Sequence, residues 1–288
     1  MKNKLAIIGG SGLYKIDGLE KISEEEVSTP WGTPSDKISV FKLNNQEVCF
    51  LPRHGSNHTV SPTKVNYRAN IDALKQIGVT DIISVSACGS LKETIKPGEF
   101  VLVDQFIDRT HSRDKSFFGD GIVVHVSMAK PTSEGLADAC ESALKELDIK
   151  YHRGGIYLAM EGPQFSTLAE CNVYRSWNAD VIGMTNTEAK LAREAEIRFL
   201  TVAMVTDYDC WHPDHENVDV QMILETLNKN ADNAKSMIKS VVERFEDFIR
   251  LDDPATNCLD TAVITNLDAV DDKTKDKYKN ILNRVLKK

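Results

Sequence analysis

No stretch of the chain is apolar for long enough to cross a membrane, which takes about 20 apolar residues in a row. The first apolar run, Leu5 to Ile8, ends at Gly9 and Gly10 and is too short for the core of a signal peptide. We therefore expect a cytoplasmic protein that has no membrane partner.

The chain also has no excess of positive charge. Its 35 lysine and arginine residues face 43 aspartate and glutamate residues, which gives a formal net charge of -8 and a pI near 5.5. A broad nucleic-acid surface needs a basic face, so this balance argues against a nucleic-acid partner but leaves a local phosphate pocket open. The 288 residues, 41% of them hydrophobic, are typical of a globular protein with one large α/β domain or two small ones.

Paired cysteine motifs of the CxxC type are missing among the six cysteines. Most cysteines lie in apolar or helical patterns, so we expect reduced, buried thiols, with a few disulfides as the alternative. The segment His212-Pro213-Asp214-His215-Glu216 resembles a metal cluster, but its spacing is not HExxH, and a solvated helix lead-in is the alternative. We predict no metal site.

Strands and helices are predicted in alternation along most of the chain. The predicted strands cover residues 4–8, 38–41, 48–51, 81–86, 100–103, 155–160, 181–183 and 199–205, and the predicted helices cover 64–77, 134–147, 168–177, 188–195 and 220–249. The strands are short apolar runs, whereas the helices carry apolar residues at helical spacing. This alternation indicates an α/β fold with a mostly parallel or mixed sheet and helices on both faces.

Neither a linker nor an internal repeat divides the chain. The last long helix has an apolar stripe that should pack across the sheet. Beyond it, Asp252-Asp253-Pro254 breaks the pattern, and the charged segment 271–279 is typical of a solvated tail or a short terminal helix. We predict one domain at 1–250 and a C-terminal extension at 251–288.

Two acids, Asp207 and Asp209, follow the apolar strand 199–205 directly. A strand that is covered on both faces needs apolar side chains, so these acids are not part of its packing pattern. The carboxyl ends of strands are where α/β proteins usually bind their ligands. The pair therefore indicates a functional site at this end of the sheet.

Several further polar groups follow predicted strands, and a doubly wound sheet would bring them to the same edge. They are Ser11 in the turn Gly9-Gly10-Ser11-Gly12, Arg53 and His54 after the hairpin strand, Ser86 beside Ala87, and Thr185. An arginine, free turn amides and hydroxyls suit one small phosphate. The alternatives are an ordinary tight turn and a surface ion pair of the arginine, and the turn is neither a Walker loop nor a dinucleotide fingerprint.

Two apolar residues are ambiguous. Phe165 is either a core residue or an aromatic wall for a flat ring, and Met184 is either a gap-filler or part of the site beside Thr185.

Several ordered blocks between Leu5 and Ile249 carry a family resemblance. They are Ile7-Ile8-Gly9-Gly10-Ser11-Gly12-Leu13, Pro52-Arg53-His54-Gly55, Val65-Asn66-Tyr67-Arg68-Ala69-Asn70, Ser84-Val85-Ser86-Ala87-Cys88-Gly89-Ser90-Leu91, Asp104-Gln105-Phe106-Ile107-Asp108, Glu161-Gly162-Pro163 and Thr206-Asp207-Tyr208-Asp209. Together they resemble the S-methyl-5'-thioadenosine phosphorylases, in the trimeric branch of the purine nucleoside phosphorylase family. The resemblance implies a single α/β domain with a mixed, partly barrel-like sheet surrounded by helices.

The resemblance also implies a reaction. Methylthioadenosine would be cleaved by inorganic phosphate, a co-substrate, into adenine and 5-methylthioribose 1-phosphate, without a metal or organic cofactor. The protein would be a homo-oligomer, either a trimer or a dimer of trimers.

Residue roles follow from the matching blocks. Phosphate would be bound by Ser11, Arg53, His54, Ser86, Ala87 and Thr185, and the nucleoside by Met184, Asp207, Asp209, Phe165, Ser166 and Val220, with His125 supplied by a neighbouring subunit. Asp207, Arg53 and His54 would be the catalytic residues. The resemblance also implies that 6-oxopurine phosphorylases have asparagine where Asp207 stands, so the acids favour the 6-amino group and N7 of adenine.

Three alternatives remain at this point. They are a purine nucleoside phosphorylase of broader or 6-oxopurine specificity, a hydrolase that uses water, and a non-catalytic nucleoside or phosphate sensor. The retained acids argue against a sensor, and an arginine with several hydroxyls around one anion would serve no purpose in a hydrolase.

Overall fold

The protein is described by a computed structural model over residues 3–10, 13, 16–213 and 220–287, with residues 220–223 described by their backbone alone. The strands are β1 (Leu5–Gly9), β2 (Glu20–Glu25), β3 (Ile38–Leu43), β4 (Gln46–Pro52), β5 (Asp81–Ser90), β6 (Phe100–Leu102), β7 (Gln105–Asp108), β8 (Tyr151–Arg153), β9 (Ile156–Ala159), β10 (Val181–Gly183) and β11 (Arg198–Asp207). The helices are α1 (Tyr67–Gln76), α2 (Glu134–Glu146), α3 (Leu168–Ser176), α4 (Glu188–Glu194), α5 (Val220–Glu243), α6 (Asp272–Tyr278) and α7 (Asn283–Leu286).

The strands form one mixed sheet that branches at β5. Its main path runs β2-β3-β4-β1-β5-β10-β9-β7, while β11 pairs with both β5 and β6, and β6 pairs with β8. β5 is parallel to β1 and β11, but its last residues pair antiparallel with β10. The predicted α/β class with a mixed sheet is confirmed, and the sheet of the described residues is not closed into a barrel.

Apolar clusters cover both faces of the sheet, as predicted. On one face α1 and α4 contribute Ile71, Leu74 and Leu191. On the other face α2 and α5 contribute residues such as Leu144 and Ile238. Burial of each such side chain contributes about 1.5–3 kcal/mol, so these two layers stabilise the frame that holds the strand ends in place.

The sequence patterns located most elements within a few residues. The hairpin turn is confirmed at Asn44, whose φ of 54° is a conformation that asparagine tolerates, and Gly78 ends α1 with φ 83°. The last long helix ends earlier than predicted, at Glu243, and a 3-10 turn, Phe245–Phe248, follows. Three strands were missed: β2, which is largely exposed and charged, and the short β7 and β8.

The C-terminal extension is not a solvated tail. The charged segment forms the short helix α6, and its last residue, Tyr278, is fully buried together with Leu282. The Tyr278 ring contacts Trp31 and stacks on Phe118, with centroid distances of 5.5 and 5.6 Å. The high lysine and aspartate content of the segment made its few buried apolar residues hard to recognise in the sequence. The domain boundary at 250/251 stays a prediction.

Among the described residues, no helix combines the length and apolar character that a membrane crossing requires.

Candidate active site

A cavity of about 570 Å³ opens where β4, β5, β10 and β11 end. It is lined by most of the predicted site residues: Arg53, His54, Ser86, Ala87, Phe165, Met184, Thr185, Asp207 and Asp209. Leu224, Leu227, Asn228 and Ala231 of α5 form another part of its wall. The sheet thus brings together residues that lie more than 150 positions apart in sequence.

Thr185 reaches this cavity by a route that the sequence did not predict. β10 runs antiparallel to β5, with Ile182 opposite Gly89, so the chain after Gly183 turns back alongside Ala87. The Gly183 backbone lies so close that an added Cβ would be 3.4 Å from the Ala87 carbonyl oxygen. The grouping of Thr185 with Ser86 and Ala87 is therefore confirmed, but it depends on an antiparallel strand pair and not on parallel strands that end at one edge.

Asp207 is the better anchored of the two acids. Its Oδ2 accepts a hydrogen bond from Thr206 Oγ1 at 2.7 Å, and its Oδ1 accepts one from the Asp209 amide at 2.7 Å. The neighbouring strand contributes Gly89, where a Cβ would lie 2.9 Å from Asp207 Oδ1. Burial raises the pKa of the Asp207 carboxyl, although both hydrogen bonds oppose the shift.

Asp209 is held in a backbone conformation unusual for its type, with φ 53°. Its side chain is buried, and Oδ2 has no hydrogen-bond partner among the described residues. Burial again raises the pKa, with the nearby Cys171 and Ser166 side chains opposing the shift and Asp207 adding to it. An unpartnered buried carboxyl oxygen beside a cavity is ready to pair with a ligand.

Three hydroxyls form a chain on the other side of the cavity. Thr185 Oγ1 donates to Ser86 Oγ at 3.0 Å, and Ser86 Oγ donates to the Ala87 carbonyl at 3.0 Å. Tyr157 OH lies 3.1 Å from Thr185 Oγ1. Because hydroxyls rotate, Ser86 and Thr185 can redirect their protons to an anion while the chain keeps their oxygens in place.

Arg53 is buried, so the surface ion pair considered from the sequence is wrong. Its Nε donates to Glu188 Oε1 at 2.5 Å, Nη1 donates to the Val85 carbonyl, and Nη2 donates to Ser84 Oγ and the Ile8 carbonyl. Arginine has five N–H donors, so one on Nη1 has no acceptor among the described residues. Arg53 can therefore offer an anion one hydrogen bond and its charge, with Glu188 offsetting part of that charge.

His54 is neutral in this environment. Burial lowers its pKa to about 4, and the adjacent Arg53 charge adds to the effect. Nδ1 lies 2.8 Å from the Val60 carbonyl, which fixes the proton on Nδ1 because a carbonyl only accepts. The Nε2 lone pair is then left to accept a hydrogen bond from a ligand.

The remaining predicted residues are spread over different environments. Phe165 is 69% exposed and lines the cavity, so it is not a core residue. Ser166 is buried just outside the cavity lining, and His125 is exposed away from it, with its amide bonded to the Ala262 carbonyl. Ser11 and the Val220 side chain lie outside the described residues.

One group of described residues could hold a metal ion. Atoms of Cys171, Asp209 and Cys210 lie within 4.8 Å of one another. Burial raises the pKa of both thiols, so they stay protonated, and a metal would have to displace those protons. The histidine-rich segment considered from the sequence extends into 214–219, outside the described residues.

Sequence reasoning missed three buried residues that support the site. Glu188 pairs with Arg53, Tyr157 holds Thr185, and Arg113 bonds to the backbone beside Met160 and Met184. Each of these contacts joins residues at least 28 positions apart, and none of the three residues belongs to a strand-end motif. Arg113 is one of five charged residues in the apolar-poor stretch 108–116, so its sequence neighbourhood does not single it out.

Residues 4–243 match the family model of the phosphorylase superfamily. The S-methyl-5'-thioadenosine phosphorylase of Rhodospirillum rubrum is 55% identical, over 98% of this chain and 97% of that protein. The enzyme of the same name from Bradyrhizobium diazoefficiens is 52% identical, over 98% of each chain. The chain belongs to the S-methyl-5'-thioadenosine phosphorylase family.

Solved structures of this family have the same fold. A methylthioadenosine phosphorylase from an Antarctic soil metagenomic library is 46% identical, with a TM-score of 0.92 over 97% of this chain and 99% of that one. The Schistosoma mansoni methylthioadenosine phosphorylase, solved in complex with adenine, is 34% identical, with a TM-score of 0.81 over 85% and 93%. The family resemblance, the fold and the enzyme class predicted from the sequence are confirmed, whereas the individual residue roles stay predictions.

Proposed function

We propose that this protein is a pentosyltransferase of purine salvage that cleaves S-methyl-5'-thioadenosine with inorganic phosphate. The products are adenine and 5-methylthioribose 1-phosphate. The family assignment supports the reaction, and the cavity supplies groups for both substrates.

The observation that carries the proposal is the position of two unlike clusters in one cavity. The acids Asp207 and Asp209 lie on one side, and the anion-binding hydroxyls of Ser86 and Thr185 lie on the other. Register places Asp207 opposite Gly89, three residues along β5 from Ser86, which is about 10 Å at strand spacing. This separation accommodates a purine and a phosphate on either side of a sugar.

At the purine end, Asp207 is proposed as the catalytic acid. Cleavage of the N-glycosidic bond leaves negative charge on the purine, and a proton delivered to N7 neutralises it. The burial that raises its pKa favours the protonated form that this step needs. Asp209 is proposed to accept a hydrogen bond from the 6-amino group through the oxygen that has no partner in the described structure.

At the phosphate end, the proposed ligands are the predicted set of Ser11, Arg53, His54, Ser86, Ala87 and Thr185. The neutral His54 accepts the O–H of hydrogen phosphate at Nε2, because Nδ1 is occupied by the Val60 carbonyl. The hydroxyls of Ser86 and Thr185 donate to its oxygens. The anion is thereby held for attack on the sugar carbon from the face opposite the purine.

The sugar and its 5' substituent occupy the space between the two clusters in this proposal. Met184 lies beside the ribose and Phe165 closes the cavity, while Ser166 and Val220 stay predicted contacts of the nucleoside. His125 is exposed and does not line the cavity of its own chain, which suits a contribution to a neighbouring subunit. The exposed apolar residues Leu168 and Trp177 suit a contact with another copy of the chain, and the family resemblance suggests that the oligomer is a trimer or a dimer of trimers.

The proposed chemistry needs no metal or organic cofactor, since a proton and a held phosphate suffice. A cytoplasmic location is proposed because the six free cysteines, four of them buried, suit a reducing compartment. EDTA treatment should leave the rate unchanged, and light scattering of the purified protein would give the oligomer size.

The reaction is tested by adenine release from methylthioadenosine, with inosine in parallel, each with and without phosphate. Adenine release that depends on phosphate, with little turnover of inosine, is expected. Release without phosphate would instead indicate a hydrolase, faster inosine cleavage would indicate a 6-oxopurine phosphorylase, and binding without turnover would indicate a sensor.

A further inference from the structure

A single guanidinium joins the backbone segments that carry Met160 and Met184, two of the three methionines that line the cavity. Arg113 is buried, and all its nitrogens are bonded. Nη1 donates to the Met184 carbonyl at 2.7 Å, and Nη2 donates to the carbonyls of Glu161 and Met160 at 2.7 and 3.2 Å. Arg113 itself is not among the residues that line the cavity.

These carbonyls belong to segments that follow two neighbouring parallel strands. Met160 comes directly after β9, and Met184 comes directly after β10. The backbone of each bonds to Arg113, while the side chain of each lines the cavity. The planar fork of one arginine therefore sets the spacing of the two strand ends from behind the cavity wall.

The arginine is in turn fixed by its own surroundings. Nε lies 3.3 Å from Glu161 Oε1, and Nη1 also donates to Tyr67 OH and Thr187 Oγ1 at 3.1 Å each. Although burial opposes ionisation, the amides of the 111–112 turn and the Arg113 charge help to lower the pKa of Glu161 to about 2. Glu161 is thus a carboxylate throughout the working range and keeps the guanidinium in one orientation.

The phosphate cluster does not depend on this arginine. Thr185 is adjacent to Met184, but its hydroxyl is held by Ser86 and Tyr157 through separate hydrogen bonds. His54 is held by the Val60 carbonyl. A change at Arg113 should therefore displace the methionine wall more than the phosphate ligands.

We propose that Arg113 is a positioning residue for the nucleoside, which sets the separation of the Met160 and Met184 segments and so the fit of the sugar and its 5' substituent. This inference rests on the proposed function of the cavity. It assigns Arg113 no contact with the substrate.

The test is Arg113→Lys, which keeps the charge beside Glu161 but cannot donate to both strand ends as the fork does. The matched control is Arg198→Lys. Arg198 is also buried and bonds to both oxygens of Asp81, at 2.7 and 2.6 Å, but it lies at the start of β11, away from the cavity. In both variants a single ammonium group replaces a buried guanidinium that makes several hydrogen bonds, so a general loss of stability should appear in both.

The readouts are KM for methylthioadenosine, KM for phosphate, kcat and the melting temperature, with Kd for methylthioadenosine measured by calorimetry in the absence of phosphate. We expect Arg113→Lys to raise the nucleoside KM about tenfold and the phosphate KM by less than about twofold, since misplacement of a binding wall by a fraction of an ångström weakens binding. Arg198→Lys should lower the melting temperature similarly and leave both KM values unchanged.

The inference is overturned if Arg113→Lys has wild-type kinetics, or if both variants raise both KM values together, since that would show a merely structural role. Failure of the proposed function would appear separately, as an inactive wild type. In that case the Kd of methylthioadenosine decides: a weaker Kd in Arg113→Lys alone supports the inference, and equal values in wild type and both variants contradict it.

Discussion

Replacing Asp207 by asparagine keeps the size of the side chain and removes the proton that the mechanism needs. The structure fixes how the amide must sit. The Asp209 amide can only donate, so the asparagine oxygen has to take the Oδ1 position and its NH₂ the Oδ2 position. The Thr206 hydroxyl can then turn fully to the Cys88 carbonyl, 3.1 Å away.

The cost to stability should be small, because no buried donor loses its acceptor in this arrangement. Burial raises the pKa of the Asp207 carboxyl, so its ionised form is disfavoured in the fold and stability falls as pH rises past the ordinary aspartate range. The asparagine variant lacks that penalty. We therefore expect an unchanged or slightly higher melting temperature at neutral and alkaline pH.

The cost to catalysis should be large. General acid catalysis contributes about a hundredfold to ten-thousandfold, or about 3–5 kcal/mol of the barrier. The amide can still donate a hydrogen bond to N7, so we expect kcat/KM for methylthioadenosine to fall by about a hundredfold to a thousandfold. An amide also donates to a 6-oxo group, so the ratio of inosine to methylthioadenosine cleavage should rise.

Both rates are measured by chromatography of the released bases at saturating phosphate, with folding checked by thermal melting. Cleavage of methylthioadenosine within about threefold of wild type by a folded variant would refute the assignment of Asp207 as the acid.

Three further predictions concern the frame of the site. Gly183→Ala would place a Cβ 2.0 Å from Tyr157 OH, which holds the proposed phosphate ligand Thr185, so it should lower stability and raise the phosphate KM. Adding Tyr157→Phe removes the hydroxyl and should restore part of the lost stability, and no recovery in the double variant would contradict the clash. Burial raises the pKa of Glu194 to about 7 from 4.5, so the free energy of unfolding should fall by about 3 kcal/mol as pH rises through that window. Urea titrations at a series of pH values should show a smaller fall for Glu194→Gln, and an equal fall in both proteins would contradict this. Removing the C-terminal extension exposes the sites of Tyr278 and Leu282 on the core and should cost about 5 kcal/mol or more, so wild-type melting of the truncated chain would refute the packing role.

The sequence located the acid pair because the contrast was local. Asp207 and Asp209 interrupt an apolar strand within a few residues, and a covered strand has no other use for them. Ser86 and Thr185 were found for the same reason, at strand ends followed by small or polar residues. Such signals depend only on neighbours in the chain.

The supporting residues could not be found in this way. Arg113 bonds to Met184, 71 positions away, and Arg53 bonds to Glu188, 135 positions away. Arg53 itself was predicted, but nothing in the sequence around Arg113 or Glu188 distinguishes a buried charged residue from an exposed one. The antiparallel turn of β10 onto β5 was missed likewise, since a three-residue apolar run has no direction.

The C-terminal extension shows the opposite error. Its lysines and aspartates indicated a solvated tail or a short terminal helix. The helix is confirmed as α6, but the segment is not solvated throughout, because Tyr278, Ile281 and Leu282 anchor it to the core. A short helix can bury one face through very few residues, too few to change a composition average.

The most direct test of the account is to follow the reaction of methylthioadenosine with inorganic phosphate by phosphorus NMR while adenine is quantified. The account predicts that inorganic phosphate disappears and a sugar 1-phosphate appears in a one-to-one ratio with adenine, and that both stop when phosphate is withheld. Adenine formed without any sugar phosphate would contradict it, because attack would then come from water and the hydroxyl cluster around Ser86 and Thr185 would not hold the nucleophile.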